Sequence, residues 1–461
     1  MLCEEVVTWR RTLNLRQYDL SINTVDTVGN MMSEPTIAAG TASAKITPPV
    51  GVELTGYAGR PGPSAGVHDE LYAKALVLDD GSTRVGILSL DLLGLTSEDA
   101  ARIRTLASAK AGLPPGNLLV TCSHTHAGPA VQFLRCCGTP DPDYVEWMVE
   151  TSARAVGEAA SDLAPAEVLF ATSRSDIGMN RRAPYLQLVG NPEGAVDDEV
   201  GIMLIAAKDG RKAVVYNYPC HGVVLGHENV LISADWMGAA SRAIEDATGA
   251  RALFLQGCGG DINPRLRGGF DAVEQTGQSL AAGVVAALEE AVPAGGPLAA
   301  LSESVELPLL PPLPPEQLAK IATDAARRIR EGMASGKSEH ELSGYEAQRL
   351  WAQGIADLLE RKDPPRRLVA EIQAIRIGGV RIVALPGEAF AEIGLQIKSF
   401  GEKVLVAAYA NGNIGYIPTA RAYLEGGYEV DSAYRYYGLQ MIGPESEAVV
   451  VRAAARLLSA I

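Results

Sequence analysis

The sequence SHTHAGP at residues 123–129 constrains the chain most, because it places two histidines where a buried strand ends. Residues 118–122 just before it form a short, apolar, β-branched-rich run, which predicts a buried strand. Residues two apart on a strand share a face, so His124 and His126 project the same way if the extended geometry continues. The Gly128-Pro129 pair then turns the backbone. This pattern favours a metal or ligand site over two packed core histidines.

Strand-like and helix-like segments alternate along most of the chain. Residues 85–92 and 213–218 are strand-like, residues 96–111 are helix-like with Ser97 as a candidate N-cap, and residues 143–162 form a strong amphipathic pattern. This alternation predicts an α/β fold class, with mixed β-sheets flanked by helices in layers.

The predicted domain organisation is one domain at residues 35–461, preceded by an N-terminal extension at residues 1–34 that is either a disordered segment or an artefact of start-site choice. Within the domain, residues 308–365 begin with a Pro-rich stretch and continue as charged, Ala-rich sequence. That composition predicts a helical insertion without chemistry of its own, its charge runs forming a solvated face.

Charge and cysteine content exclude several classes of function. The formal net charge of the 461 residues is −15 and no Lys/Arg-rich run occurs, which argues against a nucleic-acid partner. The six cysteines form no CxxC pair, so buried free thiols are expected rather than a disulfide framework. Glu4 and Glu5 stand where a signal peptide carries basic residues, and no stretch reaches the length of a membrane span. We therefore expect a cytoplasmic protein without a transmembrane segment.

Four further motifs carry polar groups after apolar runs. NYPCHG at residues 217–222 repeats the strand-then-histidine pattern with His221, and GCGGDINP at residues 257–264 brings three glycines ahead of Asp261. PGE at residues 386–388 places Glu388 ahead of a helix, where it could simply interact with the helix dipole. Six tyrosines lie between residues 416 and 437, a density equally typical of an aromatic loop packed on a core. Asp261 could likewise cap a tight turn.

Taken together, these segments resemble the catalytic domain of the neutral/alkaline ceramidases, zinc-dependent amidohydrolases that cut the N-acyl bond of sphingolipids. The resemblance runs in order over residues 40–438 through six blocks: SHTHxGP, Asn180-Arg181, the block at 217–222, GDxxP at 260–264, PGE, and Tyr416 followed by Tyr428. It implies one Zn²⁺ per chain, with the ligands His124, His221, Glu388 and Tyr416. It places four further residues beside the scissile amide, namely His126, Arg181, Asp261 and Tyr428.

The implied mechanism is hydrolysis by metal-activated water. Asp261 is the expected proton acceptor, Asn263 would orient water or substrate, and His126 and Tyr428 would stabilise the oxyanion. Arg181 would bind a polar headgroup or carboxylate of the substrate. The leaving nitrogen would take its proton from Asp261 or His126.

The chain departs from the family pattern in three ways. Asn263 replaces the serine of the family's GDVSP block, and neither a secretory leader nor a C-terminal immunoglobulin-like domain is recognisable. The substrate is therefore predicted as a small-molecule or lipid-like N-acyl compound, ceramide or another. One alternative is a zinc hydrolase of a soluble N-acyl amine, N-acyl amino acid or ester. Another is a non-catalytic binding protein that retains a metal. Nothing in the sequence sets the oligomeric state, and Mn²⁺, Fe²⁺ or Co²⁺ would also suit the ligand set.

Overall fold

The computed structural model describes residues 37–183, 190–207, 212–361, 364–438 and 440–461. The predicted N-terminal extension, residues 1–34, lies outside the described residues. From residue 37 onward the described residues form one compact unit. In this part of the chain, no helix is both long enough and apolar enough to cross a bilayer.

The strands and helices alternate in chain order as the sequence pattern predicts. The strands are β1 (Ala38–Lys45), β2 (Gly66–Val67), β3 (Tyr72–Asp79), β4 (Arg84–Leu90), β5 (Leu118–Cys122), β6 (Ala164–Arg174), β7 (Gly178–Asn180), β8 (Glu199–Ala207), β9 (Lys212–Tyr218), β10 (Leu231–Ile232), β11 (Arg251–Gln256), β12 (Ile262–Pro264), β13 (Val292–Pro293), β14 (Leu298–Pro308), β15 (Arg367–Ile377), β16 (Val380–Ala384), β17 (Glu388–Ala389), β18 (Val404–Ala407) and β19 (Tyr416–Ile417). The helices are α1 (Ser97–Ala111), α2 (Pro142–Ser161), α3 (Asp235–Thr248), α4 (Phe270–Ala287), α5 (Pro315–Ala334), α6 (Glu339–Glu360), α7 (Ala391–Lys398), α8 (Ala422–Glu425), α9 (Tyr428–Asp431), α10 (Tyr434–Tyr437) and α11 (Ser446–Ala460).

Two mixed sheets form the centre of the molecule. The larger sheet has the strand order β11-β9-β8-β6-β1-β3-β4-β5, and the smaller one has the order β14-β15-β16-β18. The strand pairs β4/β5, β9/β11 and β16/β18 are parallel, whereas most other neighbours are antiparallel. The predicted α/β fold class, mixed sheets flanked by helices, is therefore confirmed.

The alternation of side chains along each strand explains the layers. On β3, Leu76 and Leu78 face the smaller sheet, whereas Ala75 and Val77 face the core beneath α1 and α2. β15 divides its residues in the same way, since Ile375 belongs to the core between the sheets. A strand buried on both faces needs apolar residues at successive positions, which explains the continuous apolar runs in the sequence.

The N-cap residue of helix α1 lies one position earlier than the sequence indicated. Thr96, and not Ser97, is the N-cap, because the Thr96 side chain accepts a hydrogen bond from the Asp99 backbone N–H at 3.0 Å. The prediction of Ser97 was wrong. A threonine and a serine stand side by side here, and only the extended backbone at Thr96 identifies the capping residue.

The segment at residues 308–365 contains the helices α5 and α6, which follow each other closely in the chain and contact each other extensively. Ser338 starts α6 with a capping box that includes Glu341. On the other side α6 contacts α10, where the Trp351 and Tyr434 rings meet edge to face with centroids 5.4 Å apart. The helical pair thus supports the short helix that carries Tyr436 and Tyr437.

Candidate active site and metal centre

Two loops that leave the larger sheet bring the histidines together. His124 follows β5, and His221 follows β9, in each case at the carboxyl end of a strand with a parallel neighbour. The loops are joined by a parallel bridge between Thr125 and Gly222. A Cβ atom at Gly222 would lie 2.6 Å from the His124 carbonyl oxygen, so only glycine permits this approach.

The strand geometry does not continue through the SHTHAGP motif, contrary to the condition on which the sequence argument rested. His124 has a φ of 64°, in the left-handed region, which costs on the order of 1 kcal/mol for a residue with a side chain. The two rings still meet, since the Nε2 atoms of His124 and His126 are 3.2 Å apart. The turn at His124 therefore aims both imidazoles at one point.

Backbone carbonyls fix the tautomer of each histidine. The Nδ1 atoms of His124, His126 and His221 lie 2.8, 3.0 and 2.6 Å from the carbonyl oxygens of Leu93, Gly56 and Gly259 respectively. Because a carbonyl can only accept, each Nδ1 carries the proton and donates it, and each Nε2 keeps a free lone pair. This arrangement is typical of histidines that bind a metal through Nε2.

The free Nε2 atoms converge on a buried carboxylate. The candidate ligand atoms of His124, His126 and His221 all lie within 4.8 Å of one another. Glu388 Oε2 lies 3.4 Å from His124 Nε2 and 3.3 Å from His221 Nε2. His221 Nε2 and Glu388 Oε2 are buried and lack a hydrogen-bond partner in the described part of the chain. Buried lone pairs facing one another without a donor suit a divalent cation, so the cluster fits a metal.

The electrostatics of the cluster favour neutral imidazoles at His126 and His221 and an ionised carboxylate at Glu388. Burial, together with the positive charge of Arg181, lowers the pKa of His221 to about 3, and burial lowers the pKa of His126 well below its usual value. Burial alone would raise the pKa of Glu388, but the imidazoles of His124 and His221 hold it well below its ordinary range. A metal requires this protonation pattern of its ligands.

Tyr437 orients the carboxylate. Its hydroxyl donates a hydrogen bond to Glu388 Oε1, which leaves Oε2 directed at the histidines. A hydrogen-bonded ligand carboxylate is a common outer-shell arrangement at metal sites. The sequence placed Tyr437 only within the tyrosine-dense loop, and no signal there distinguished it from its neighbours.

Arg181 lines the cavity, and each of its three side-chain nitrogens donates a hydrogen bond to a neighbouring side chain. Its Nε donates to Glu429 at 3.0 Å, Nη1 to Asn263 Oδ1 at 3.1 Å, and Nη2 to the Tyr416 hydroxyl at 2.9 Å. Glu429 is 1% exposed and also pairs with Arg182, so the charge of Arg181 is neutralised within the protein. Arg181 therefore positions Asn263 and Tyr416, and its charge is already balanced by Glu429.

The bond from Arg181 also sets the orientation of Asn263. A guanidinium has donors only, so it takes the amide oxygen of Asn263 and leaves the Nδ2 donors on the cavity side. Among the described residues Nδ2 has no partner. Asn263 thus offers N–H donors to the cavity.

The site residues predicted from the sequence line one cavity of about 260 Å³, with a single exception. Its wall includes eight of them: His124, His126, Arg181, His221, Asn263, Glu388, Tyr416 and Tyr428. The remaining wall is largely apolar and aromatic, with Leu93, Leu134, Val223, Tyr57, Tyr436 and Tyr437 among its members. Burial raises the pKa values of Tyr416 and Tyr428 well above their ordinary value.

Asp261 is the exception, since it does not line the cavity. Its Oδ1 accepts a hydrogen bond from the Ala391 backbone N–H at 2.8 Å, at the start of α7, and its Oδ2 accepts one from Asn180 Nδ2 at 3.0 Å. Both oxygens therefore have structural partners. Burial raises the pKa of Asp261 to about 7. This carboxylate lies behind the cavity wall, where its hydrogen bond to the Ala391 N–H connects the start of β12 to the start of α7.

Layered mixed sheets with a buried His/Glu cluster at their strand ends define an α/β protein with a candidate metal centre. The family model described as "Neutral/alkaline non-lysosomal ceramidase, N-terminal" matches residues 38–306, more than half of the chain. The chain therefore belongs to the neutral/alkaline ceramidase family, and the resemblance seen in the sequence is confirmed.

Two curated relatives are neutral ceramidases from bacteria. The one from Pseudomonas aeruginosa is 25% identical over 451 residues, which cover 82% of this chain and 66% of the relative. The one from Mycobacterium tuberculosis is 25% identical over 450 residues, covering 82% of this chain and 70% of the relative. These relatives are hydrolases of an amide bond. The chain spans about two thirds of their length.

Solved structures show the same fold. A structure described as "Ceramidase complexed with C2" has a TM-score of 0.70 at 18% sequence identity, covering 93% of this chain and 76% of that one. The crystal structure of neutral ceramidase from Pseudomonas aeruginosa has a TM-score of 0.68, also at 18% identity, with 93% and 75% covered. At this level of identity the likeness establishes the fold alone.

Proposed function

We propose that the chain is a zinc-dependent amidohydrolase that cleaves the N-acyl bond of a ceramide-like or other N-acylated substrate. The observation that carries this proposal is the convergence of three imidazole rings and an unpartnered Glu388 oxygen at the wall of a largely apolar cavity. The family relationship to neutral ceramidases supports the amide bond as the target. A cytoplasmic location remains a prediction from the sequence.

The proposed metal ligands are His124, His221, Glu388 and Tyr416, with one ion per chain. When bound there, the metal would act as a Lewis acid and make a bound water acidic enough to ionise near neutral pH. Imidazole nitrogen and carboxylate oxygen suit Zn²⁺, which is the ion we propose. The hydrogen bond from Arg181 keeps the Tyr416 hydroxyl in a fixed position on the same wall.

The remaining polar groups act on the substrate. The Nδ2 donors of Asn263 and the Tyr428 hydroxyl, which has no partner among the described residues, face the cavity and would bind the oxygen of the acyl group. His126 is neutral, lines the cavity and has a free Nε2, so we assign it the role of a proton carrier: this lone pair would take the proton that the attacking water loses and would pass the same proton to the leaving nitrogen. Asp261 is not assigned this role, because both of its oxygens are bound behind the wall.

The experiment combines metal content with hydrolysis. Purified wild type, His124→Ala and the control His227→Ala, whose histidine is half exposed, would be compared by elemental analysis and by assays with short- and long-chain ceramides and soluble N-acyl amines. We expect about one zinc per chain in wild type and control, and loss of both metal and hydrolysis in His124→Ala. Folded wild type that neither binds zinc nor hydrolyses any amide would refute the proposal.

A further inference from the structure

We propose that the substrate carries a carboxylate on its amine portion and that Arg267 binds this group, which makes an N-acyl amino acid the preferred class. The inference rests on the proposed amide hydrolysis and specifies its substrate. It starts from the charges of the cavity wall. Arg267 lines the same cavity as the histidine cluster, and its side chain is exposed.

Each of the other two charged groups in the described part of this wall already lies against partner side chains. Arg181 pairs with buried Glu429, and Glu388 lies against His124 and His221. Within the described ranges, Arg267 makes no ion pair, and its one side-chain hydrogen bond runs from Nη2 to the Tyr57 hydroxyl at 3.4 Å. Most of its five N–H donors are therefore available. A guanidinium in this state matches the two oxygens of a carboxylate.

Tyr57 connects Arg267 to the catalytic region. Its hydroxyl donates to the Leu225 carbonyl at 2.8 Å, which fixes the ring, and the ring centroid lies 5.0 Å from that of His126. One aromatic ring thus separates Arg267 from an imidazole of the cluster. A substrate whose amide reaches the cluster can place a group beyond its nitrogen against Arg267.

The uncharged polar groups of the wall favour the same class of substrate. Asn263 Nδ2 and the Tyr428 hydroxyl are available as donors, whereas Glu388 is the single carboxylate in the described lining and belongs to the cluster. A wall rich in donors suits a substrate rich in acceptors, such as an acyl oxygen and a carboxylate. Its apolar part, including Leu93, Leu134 and Val223, suits the acyl chain.

The test compares N-dodecanoylglycine with N-dodecanoylethanolamine, which differ in the carboxylate and share the acyl chain. In the wild type we expect a lower KM for the glycine conjugate, with a preference that weakens as salt is added. Arg267→Gln should raise the KM for this conjugate about tenfold or more, as for a lost hydrogen bond to a charged group. It should change the ethanolamine conjugate less than about twofold. The control Arg265→Gln removes an exposed arginine that does not line the cavity and binds the Asp176 carbonyl.

The outcomes separate this inference from the proposed function. Hydrolysis of neutral amides with no preference for the carboxylate, or an equal loss on both substrates in Arg267→Gln, would overturn the inference and leave the amidohydrolase intact. If no amide is hydrolysed, the proposed function fails, and calorimetric binding of N-dodecanoylglycine to wild type and Arg267→Gln decides on the carboxylate site alone. Equal affinities there would overturn it.

Discussion

Glu388 and Asp261 are two buried carboxylates that the sequence presents in the same way, each after an apolar run and a glycine, yet their surroundings differ. Glu388 faces two imidazoles and a tyrosine hydroxyl, and its pKa lies well below the ordinary value despite its burial. Asp261 faces a backbone N–H and an asparagine amide, and its burial raises its pKa to about 7. The difference teaches that burial alone does not identify the working carboxylate. The direction of the pKa shift reports which one faces cationic or metal-binding partners.

The largest expected effect tests this contrast through activity. Glu388→Gln should lower kcat/KM about a thousandfold or more, because a metal centre contributes several kcal/mol to the transition state. Asp261→Asn should lower it less than about tenfold, since it changes no group of the cavity wall. Steady-state kinetics, with elemental analysis of both variants, would measure this.

An equally large loss in Asp261→Asn, in protein that is folded and retains its metal, would contradict the contrast. It would return Asp261 to the role of proton acceptor that the sequence predicted.

The next effect concerns the tyrosine that distinguishes the surroundings of Glu388. Tyr437→Phe removes the hydrogen bond to Glu388 Oε1 and should weaken metal affinity about 10- to 100-fold, the range typical of outer-shell groups. Tyr436→Phe is the matched control, because Tyr436 lies on the same short helix and lines the same cavity. Competition with a chromophoric chelator would measure both affinities. A control that loses as much affinity as Tyr437→Phe would show that the helix, and not this hydroxyl, holds Glu388.

The sequence predicted the fold and most of the cavity wall because both depend on local patterns. Apolar runs define the strands, and polar residues at strand ends mark the edge where sites form, which is how His124 and His221 could be found. The turn at His124 and the partners of Asp261 depend on contacts between distant segments, which no local pattern encodes.

Arg181 and Arg267 show the same limit. The sequence favoured Arg181 as the substrate-binding cation because it lies in a family block, whereas its three partners come from segments more than 80 residues away. Arg267 carries no motif, and only its place on the cavity wall indicates a function. Whether a charged residue is free or already paired is a property of the folded chain.

The last expected effect concerns stability and follows from the raised pKa of Asp261. The unfolded chain releases this proton near the ordinary value of 3.8, whereas the folded chain holds it until about pH 7. Between these values the folded state binds more protons than the unfolded state, so the free energy of unfolding falls as pH rises through this window. At about 1.4 kcal/mol per pKa unit, this shift corresponds to about 4 kcal/mol from this one group, and the loss is complete above pH 7.

Urea unfolding of wild type and Asp261→Asn between pH 4.5 and 8 would measure this contribution as the difference between two pH profiles. Asp91 and Asp235, whose burial raises their pKa values to about 6, remain in both proteins, so their effects cancel. We expect the variant to lose part of the decline in stability that the wild type shows up to pH 7. Parallel profiles would mean that Asp261 is ionised in the folded protein throughout, stabilised by the Ala391 N–H and the Asn180 amide. The two carboxylates would then differ in their partners and no longer in their charge.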